Sequence, residues 1–368
     1  MKKSLIAVAA LAAVGAASAQ SSVTLYGIVD TGFGVNQVKT ETGGTTTKVR
    51  TTGVNPGKSN LSSSRFGFKG QEDLGNGLSA VFALEAGFNS GNGNWDGGFN
   101  RRSVVGLKGG FGQVLLGRDW TPMDSIASDY QAIDVTTGDT VHGLGTDPLY
   151  TDRIDGIHYS GEFGGVGIKA SVGYNDVKET NVTNVGSERN VRTEAYGVGV
   201  SYAGGPLTVG GAVQYFRDKE TTTNIPVAAG LNGTRNKGVE YGVGATYDFT
   251  AAKLYAHYLA KDGDLTTYTG GVASKVSGKP VQQAGVGVTF PFGAFTLGAQ
   301  YAYNYHKASD NTKAKGHDFA LQGIYSLSKR TDVYARAARV DSWKIKTSGV
   351  TTRKVYTDVF SVGIRDRF

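Results

Sequence analysis

From residue 20 onward, apolar side chains recur at every second position, in stretches closed by glycine-, asparagine- or proline-rich breaks. A period of two puts successive side chains on opposite faces of an extended strand, one face oily and the other wet. The spacing predicts a first strand over Ser22–Val35 and a second over Leu61–Gln71, where Phe66 and Phe68 face one way and Arg65, Gly67 and Lys69 the other. Leu78, Ala80, Phe82, Leu84 and Phe88 make the apolar face of the third, with Ser79 and Glu85 opposite. The same alternation carries Tyr196, Val198, Val200 and Tyr202, then Val239, Tyr241 and Val243, then Phe295, Leu297, Ala299, Tyr301 and Tyr303. The last stretch runs through Phe360, Val362 and Ile364 and stops on Phe368, the C-terminal residue. No helical period is evident after residue 20, so the expectation is an all-β chain.

The breaks alternate in length. Seven are tight: Asp73–Gly77, Gly109–Gly112, Gly161–Gly165, Ala203–Pro206, Phe249–Ala252, Phe290–Ala294 and Leu327–Thr331. Eight are long and polar, from Asn36–Asn60 to Asp341–Lys354. These fifteen connections join sixteen strands, with both termini on the side of the short turns. An even count is what closure of an antiparallel sheet through its terminal strands requires.

Composition decides between two packed sheets and a closed one. The chain has 55 glycines, 19 tyrosines and 16 phenylalanines but two methionines and no cysteine. A soluble protein of this length needs a thick apolar core, whereas a membrane barrel needs apolar residues on its outer face alone and reads as polar on average. No apolar run reaches the length of a membrane helix, and strands in lipid must close so that no backbone group is left unpaired. Lys2 and Lys3, the apolar run Leu5–Val14 and Ala17-Ser18-Ala19 read as an export signal over residues 1–19. Residues 20–368 are then expected to form one transmembrane antiparallel up-and-down β-barrel of 16 strands. Removing the leader lowers the formal net charge from +7 to +5.

Ser22-Val23-Thr24-Leu25-Tyr26-Gly27-Ile28-Val29-Asp30 resembles the opening of the general porins of beta-proteobacteria. So do Ser64-Arg65-Phe66-Gly67-Phe68-Lys69-Gly70-Gln71-Glu72-Asp73-Leu74-Gly75, the pair Val104–Leu107 and Phe111–Arg118, and the closing Gly363–Phe368. The resemblance is dense over Ser22–Arg118 and resumes around Arg153–Tyr159. It implies a homotrimeric outer-membrane porin with one water-filled pore per subunit, embedded in outer-membrane lipid and lipopolysaccharide. It also implies that the strand ending at Phe368 is read by the barrel assembly machinery. Asp366 departs from the pattern, standing where that family often carries histidine.

The loop from Asp119 to Asp152 holds seven aspartates (119, 124, 129, 134, 139, 147 and 152) and no lysine, arginine or glutamate, and Arg118 and Arg153 bracket it. The resemblance implies that this third loop folds into the lumen and narrows it opposite a wall of arginines. Carried over by motif, these are Arg65, Arg101, Arg118 and Arg153, with Arg102 competing with Arg101; Asp124, Asp129 and Asp134 are the acids expected near the loop's apex. Opposite charges across a narrow aqueous gap make a strong transverse field, because low-dielectric walls concentrate it. The positive excess suggests a mild preference for anions.

Enzymatic readings find no support. The five histidines (142, 158, 257, 306 and 317) lack metal-ligand spacing, and neither a Gly-x-Ser-x-Gly elbow nor a phosphate loop occurs, so no cofactor or metal is expected. The charges are spread, with no nucleic-acid stripe. Two other readings stay open beside passive diffusion of small hydrophilic solutes and ions: a substrate-specific channel, and a surface adhesin or antigen using the long loops.

Overall fold

The computed structural model describes residues 22–368 except 58–59, 96, 135–151, 181–186, 224–230, 270–271, 278–279 and 308–310. The export signal expected over residues 1–19, and Asp139 and Asp147 of the acidic loop, lie outside the described residues.

Sixteen antiparallel strand positions form one closed sheet. They are β1 (Ser22–Thr42), β2 (in two pieces, Thr45–Val54 and Arg65–Gly75), β3 (Leu78–Gly87), β4 (Arg102–Gly109), β5 (Gly112–Trp120), β6 (Arg153–Phe163), β7 (Val166–Thr180) and β8 (Glu188–Gly204). There follow β9 (Leu207–Thr223), β10 (Leu231–Asp248), β11 (Lys253–Thr269), β12 (in two pieces, Val272–Ser277 and Val281–Phe292), β13 (Phe295–Lys307), β14 (Thr312–Ser326), β15 (Thr331–Thr347) and β16 (Val350–Arg367). Each pairs with the next. The two pieces of β2 both pair with β1, and the two pieces of β12 both pair with β11, so each occupies one place in the wall.

The sheet closes where β1 meets β16, from Ile28 opposite Arg367 to Thr42 opposite Arg353. Phe368 completes the seam: its N–H donates to Gly27 O at 3.1 Å, and Gly27 N–H donates to Phe368 O at 3.0 Å. Closure leaves no sheet edge whose backbone groups would have to be solvated.

The alternation resolves into an inside and an outside. Val23, Leu25, Val105, Leu116, Val200, Val243, Leu321 and Phe360 are exposed on the outer surface, as a wall facing hydrocarbon requires. Asp366 is on the outer alternation as well, next to the short turns, and its carboxylate accepts a 2.7 Å hydrogen bond from the Thr331 hydroxyl.

Two sequence expectations need correction. The first is the extent of the strands. Spanning a bilayer takes about 9–11 residues, yet β1 has 21 and β16 has 18. The excess stands beyond the membrane as paired hairpins, so Asn36–Asn60 and Asp341–Lys354 are not irregular loops throughout. Each contains a two-residue turn with left-handed backbone at both positions, Gly43-Gly44 (φ 55° and 83°) and Ser348-Gly349 (φ 50° and 82°). That backbone matches the twist of a tight hairpin. Threonine-rich flanks favour extension, and polarity alone disguised them as loop.

The second is the expectation of no helix. Residues Pro122–Asp129 form helix α1, started by Pro122 and capped by Thr121, whose hydroxyl accepts from Asp124 N–H at 3.4 Å. Eight residues are too few to hold a helix in water. Met123, Ile126, Ala127 and Tyr130 are almost wholly buried against the inner wall, and each of the three large side chains among them contributes about 2 kcal/mol of burial. Docking, and not local propensity, makes this helix.

A charged lumen between an arginine wall and a docked loop

The loop lies in a trough cut by glycine. α1 packs on the inner faces of β7–β11. A Cβ added at Gly199 would press on Pro122, one at Gly242 on Ile126 and Leu259, and one at Gly244 would overlap the Tyr130 ring. Further along, the Ala132 N–H donates to Gln300 Oε1 at 2.9 Å, and Ile133 packs among Ala302, Ala320, Val340 and Val359. Small residues on the lumen side of β8, β10, β13 and β14 therefore receive the large residues of the loop. Beneath it runs a hydrogen-bonded ladder: Gln283 Nε2 donates to Asn304 Oδ1 (2.9 Å), and Asn304 Nδ2 donates to Asp318 Oδ2 (2.6 Å). These polar groups are almost wholly buried and need such partners.

The opposite wall is cationic. β2 and β10 stand eight places apart in a ring of sixteen, so Arg65 faces the side that holds α1. Arg101 Nε donates to Glu85 Oε1 at 2.6 Å, Arg65 Nε lies 3.8 Å from Glu85 Oε2, and the Tyr26 hydroxyl donates to the same carboxylate at 3.1 Å. Arg102 pairs instead with Asp119 at 2.8 Å. Arg153 pairs with Asp152 at 2.5 Å and lies 3.4 Å above the Trp120 ring, which Arg101 also approaches at 5.4 Å. Arg101 and Arg102 are thus not alternatives; both belong to the group.

Arg118 does not. It falls on the alternation of Leu116, which is exposed on the outer surface; Arg153, opposite Trp120, shares that alternation, but it starts its strand and its guanidinium lies on Asp152 and near Asp124. Its guanidinium donates to Asn100 O (2.7 Å) and pairs with Asp155 (2.8 Å), two residues before the outward-facing Ile157. The motif correctly found a loop-root arginine but not the face it occupies.

Of the loop acids, Asp129 and Asp134 are exposed and Asp124 is half-buried. Burial pushes the Asp124 carboxyl up to about 7; Asp152 and Asp129 add to the rise, and Arg153 and Lys169 oppose it. Because the folded carboxyl sits above its ordinary value, docking of the helix is favoured while Asp124 is protonated. That contribution fades as pH rises through about 7.

Sequence reasoning missed a second inward excursion. Between the two pieces of β2 the chain leaves the wall and is tied inside by Asp30, which is fully buried. Asp30 accepts from Ser62 N–H (2.8 Å) and the Tyr334 hydroxyl (2.6 Å), while Asn60 Nδ2 donates to its carbonyl (2.7 Å). Arg336 bridges the two excursions, donating to Asn60 O at 3.1 Å and to Asp134 O at 2.8 Å. Arg365 pairs with Asp332 at 2.9 Å and donates to Ser62 Oγ at 2.9 Å. Both arginines stand on the inner alternation of β15 and β16, opposite in phase to Val333 and Ile364, so the signal for them was present in the pattern.

A closed sheet with an apolar outside and a charged, polar inside defines a membrane channel of the β-barrel type. The profile of the Gram-negative porins matches residues 7–343, and the chain belongs to that family. It is 32% identical to an outer membrane porin protein of Bordetella pertussis, over the whole of both chains. It is 34% identical to outer membrane porin protein 32 of Delftia acidovorans, over 99% of this chain and 96% of that one. Among solved structures, an anion-selective porin from Comamonas acidovorans superposes with a TM-score of 0.65 at 29% identity, covering 95% of this chain and all of that one. The protein is an outer-membrane channel, not an enzyme.

Proposed function

We propose that the channel passes small hydrophilic solutes and ions by passive diffusion, with a mild preference for anions. Its narrowest part is the gap between Arg65, Arg101, Arg102 and Arg153 on one wall and the exposed carboxylates of Asp129 and Asp134 on the docked loop. The observation that carries this reading is the clustering of four guanidiniums whose ion pairs among the described residues reach three carboxylates, those of Glu85, Asp119 and Asp152, with the Asp124 carboxyl poised beside Arg153. Such a patch attracts anions into a low-dielectric cleft. The anion selectivity of the Comamonas acidovorans relative supports the sign. Passage without a dedicated binding site is tested by swelling of liposomes containing the protein in neutral sugars of increasing size. Rates falling smoothly with size are expected, and saturation by one sugar would overturn non-specific diffusion.

Asp124 adds a pH dependence. Lowering the pH from 8 to 6 protonates a carboxyl poised at about 7 and removes a negative charge beside Arg153. The chloride-over-potassium permeability ratio should therefore rise by roughly twofold. Reversal potentials at each pH measure it, and in Asp124→Asn the ratio should stay flat.

The mature channel of this reading is residues 20–368, assembled as a homotrimer. Support comes from the outer surface. Tyr174, Tyr196, Tyr202, Tyr241, Tyr247 and Tyr325 are exposed on β7, β8, β10 and β14, whereas β1–β5 expose Val23, Leu25, Phe33, Val105, Leu107 and Leu116. Tyrosine marks a lipid–water boundary; a sector without it suits a protein neighbour, and exposed Trp95 projects from the same side. Phe368, at the seam, is the proposed recognition point for the assembly machinery.

A further inference from the structure

Between its two pieces, β2 leaves the wall, and the break is filled by side chains. β1 pairs with the first piece over Phe33–Thr42 and with the second over Ser22–Ile28, so residues 29–32 face no strand on that side. Asp30 N–H donates to Ser64 Oγ (3.0 Å), and the Asp30 carbonyl accepts from Asn60 Nδ2 (2.7 Å) and Ser90 Oγ (2.5 Å). Gly32 N–H donates to Asn55 Oδ1 at 2.8 Å. These donors and acceptors stand in for the missing ladder, as buried backbone groups require, and residues 60–64 are free to stand inside the barrel.

There they meet the end of the docked loop. The loop follows the wall along β7–β11 through α1, reaches β12 and β13 through Ala132, and β13–β16 through Ile133. Residues 60–64 carry the line on to β16 through Arg365 and to β1 through Asp30. Together the two segments make a collar running from β7 round to β1. Among the described residues, the inner faces it leaves open are those of β2–β6, the side of Arg65, Arg101, Arg102 and Arg153.

A single side chain stands at the joint. Arg336 Nη1 donates to Asn60 O at 3.1 Å and Nη2 to Asp134 O at 2.8 Å, one carbonyl from each segment. It is 7% exposed, and Asp134, Tyr334 and Asp30 are the groups that favour its charge. A guanidinium is a planar fork with donors in fixed directions, suited to two fixed acceptors; an ammonium is a point charge on a flexible stem. A buried cation stripped of such bonds is costly, which opposes opening of the joint. We propose that Arg336 is a positioning residue of the pore: it clasps the two segments into one collar and so holds the passage along the arginine wall at one width. The proposal rests on the reading that the docked loop narrows the passage.

The test is the open-channel current noise of single pores in planar bilayers. Arg336→Met keeps a long side chain and loses both donors, so the variance of the open current should rise by about threefold or more, with brief partial closures, as the released segments fluctuate. In Arg336→Met/Asn60→Cys/Asp134→Cys, a short bifunctional thiol reagent should return the variance to that of the wild type. The chloride-over-potassium permeability ratio reads the lost charge and not the joint, and should be the same before and after crosslinking. Wild-type variance in Arg336→Met would overturn the clasp, as would a raised variance that persists after crosslinking confirmed by mass. Asn60→Cys/Asp134→Cys with Arg336 intact should also crosslink in the folded protein, and failure to do so would contradict the joint itself. The two readings fail separately. A bulky thiol reagent on Asp129→Cys that leaves the current undiminished removes the narrowing loop; lost current there beside a quiet Arg336→Met removes the clasp alone.

Discussion

Replacing Arg65, Arg101 and Arg153 together by glutamine is expected to reverse the ion preference of the channel. In a potassium chloride gradient, the chloride-over-potassium permeability ratio should fall by roughly tenfold, and the reversal potential should change sign. The three guanidiniums neutralise Glu85 and Asp152 and leave a positive surplus at the wall. Without them Glu85, Asp152, Asp129 and Asp134 outnumber the described cations left at the proposed gap, Arg102, itself tied to Asp119, and Arg336, whose guanidinium donates to Asp134 O. Such a gap attracts cations. Glu85 keeps the Tyr26 hydroxyl as a donor, and no backbone pair of the sheet is touched, so the barrel should still close. Glu85→Gln alone should move the ratio the other way. A folded triple variant with an unchanged reversal potential would remove these arginines from the ion path.

Much of this architecture was legible in the alternation. The strand count follows from the alternating short and long breaks and closure from composition and an even count; the inward placing of Arg65 and Glu85 follows from a period of two, because lipid outside and water inside impose opposite demands on successive residues. What was not legible was set by contacts distant in sequence. α1 is shorter than any period can reveal, and it exists because Gly242, Gly244 and Gly199 leave room for Ile126, Tyr130 and Pro122. The clue was present as Gly-Val-Gly-Val at 197–200 and 285–288, where valine faces out and glycine faces the loop. Arg118 shows the opposite failure: a sequence motif was carried over without asking which face its parity selects. The inward turn at Asn60–Ser64 had no signal at all, since it depends on Asp30 and on Arg336 from the far end of the chain.

Blocking the loop should have the second large effect. Asp129 closes α1 and is exposed on the lumen side of a helix whose other face is buried in the wall. A bulky group attached there projects into the water-filled space rather than into protein. The chain contains no cysteine, so Asp129→Cys offers a single thiol in an otherwise inert background. Modification removes aqueous cross-section at the proposed constriction and should reduce the current of each pore by more than about half, as expected when one constriction dominates resistance. Burial of Met123, Ile126 and Tyr130 keeps the labelled helix docked.

The decisive measurement is therefore the single-channel current of Asp129→Cys before and after a large thiol-specific reagent, with labelling confirmed by mass. Stepwise loss of more than half the current is predicted. Complete labelling with undiminished current would contradict a passage narrowed by this loop.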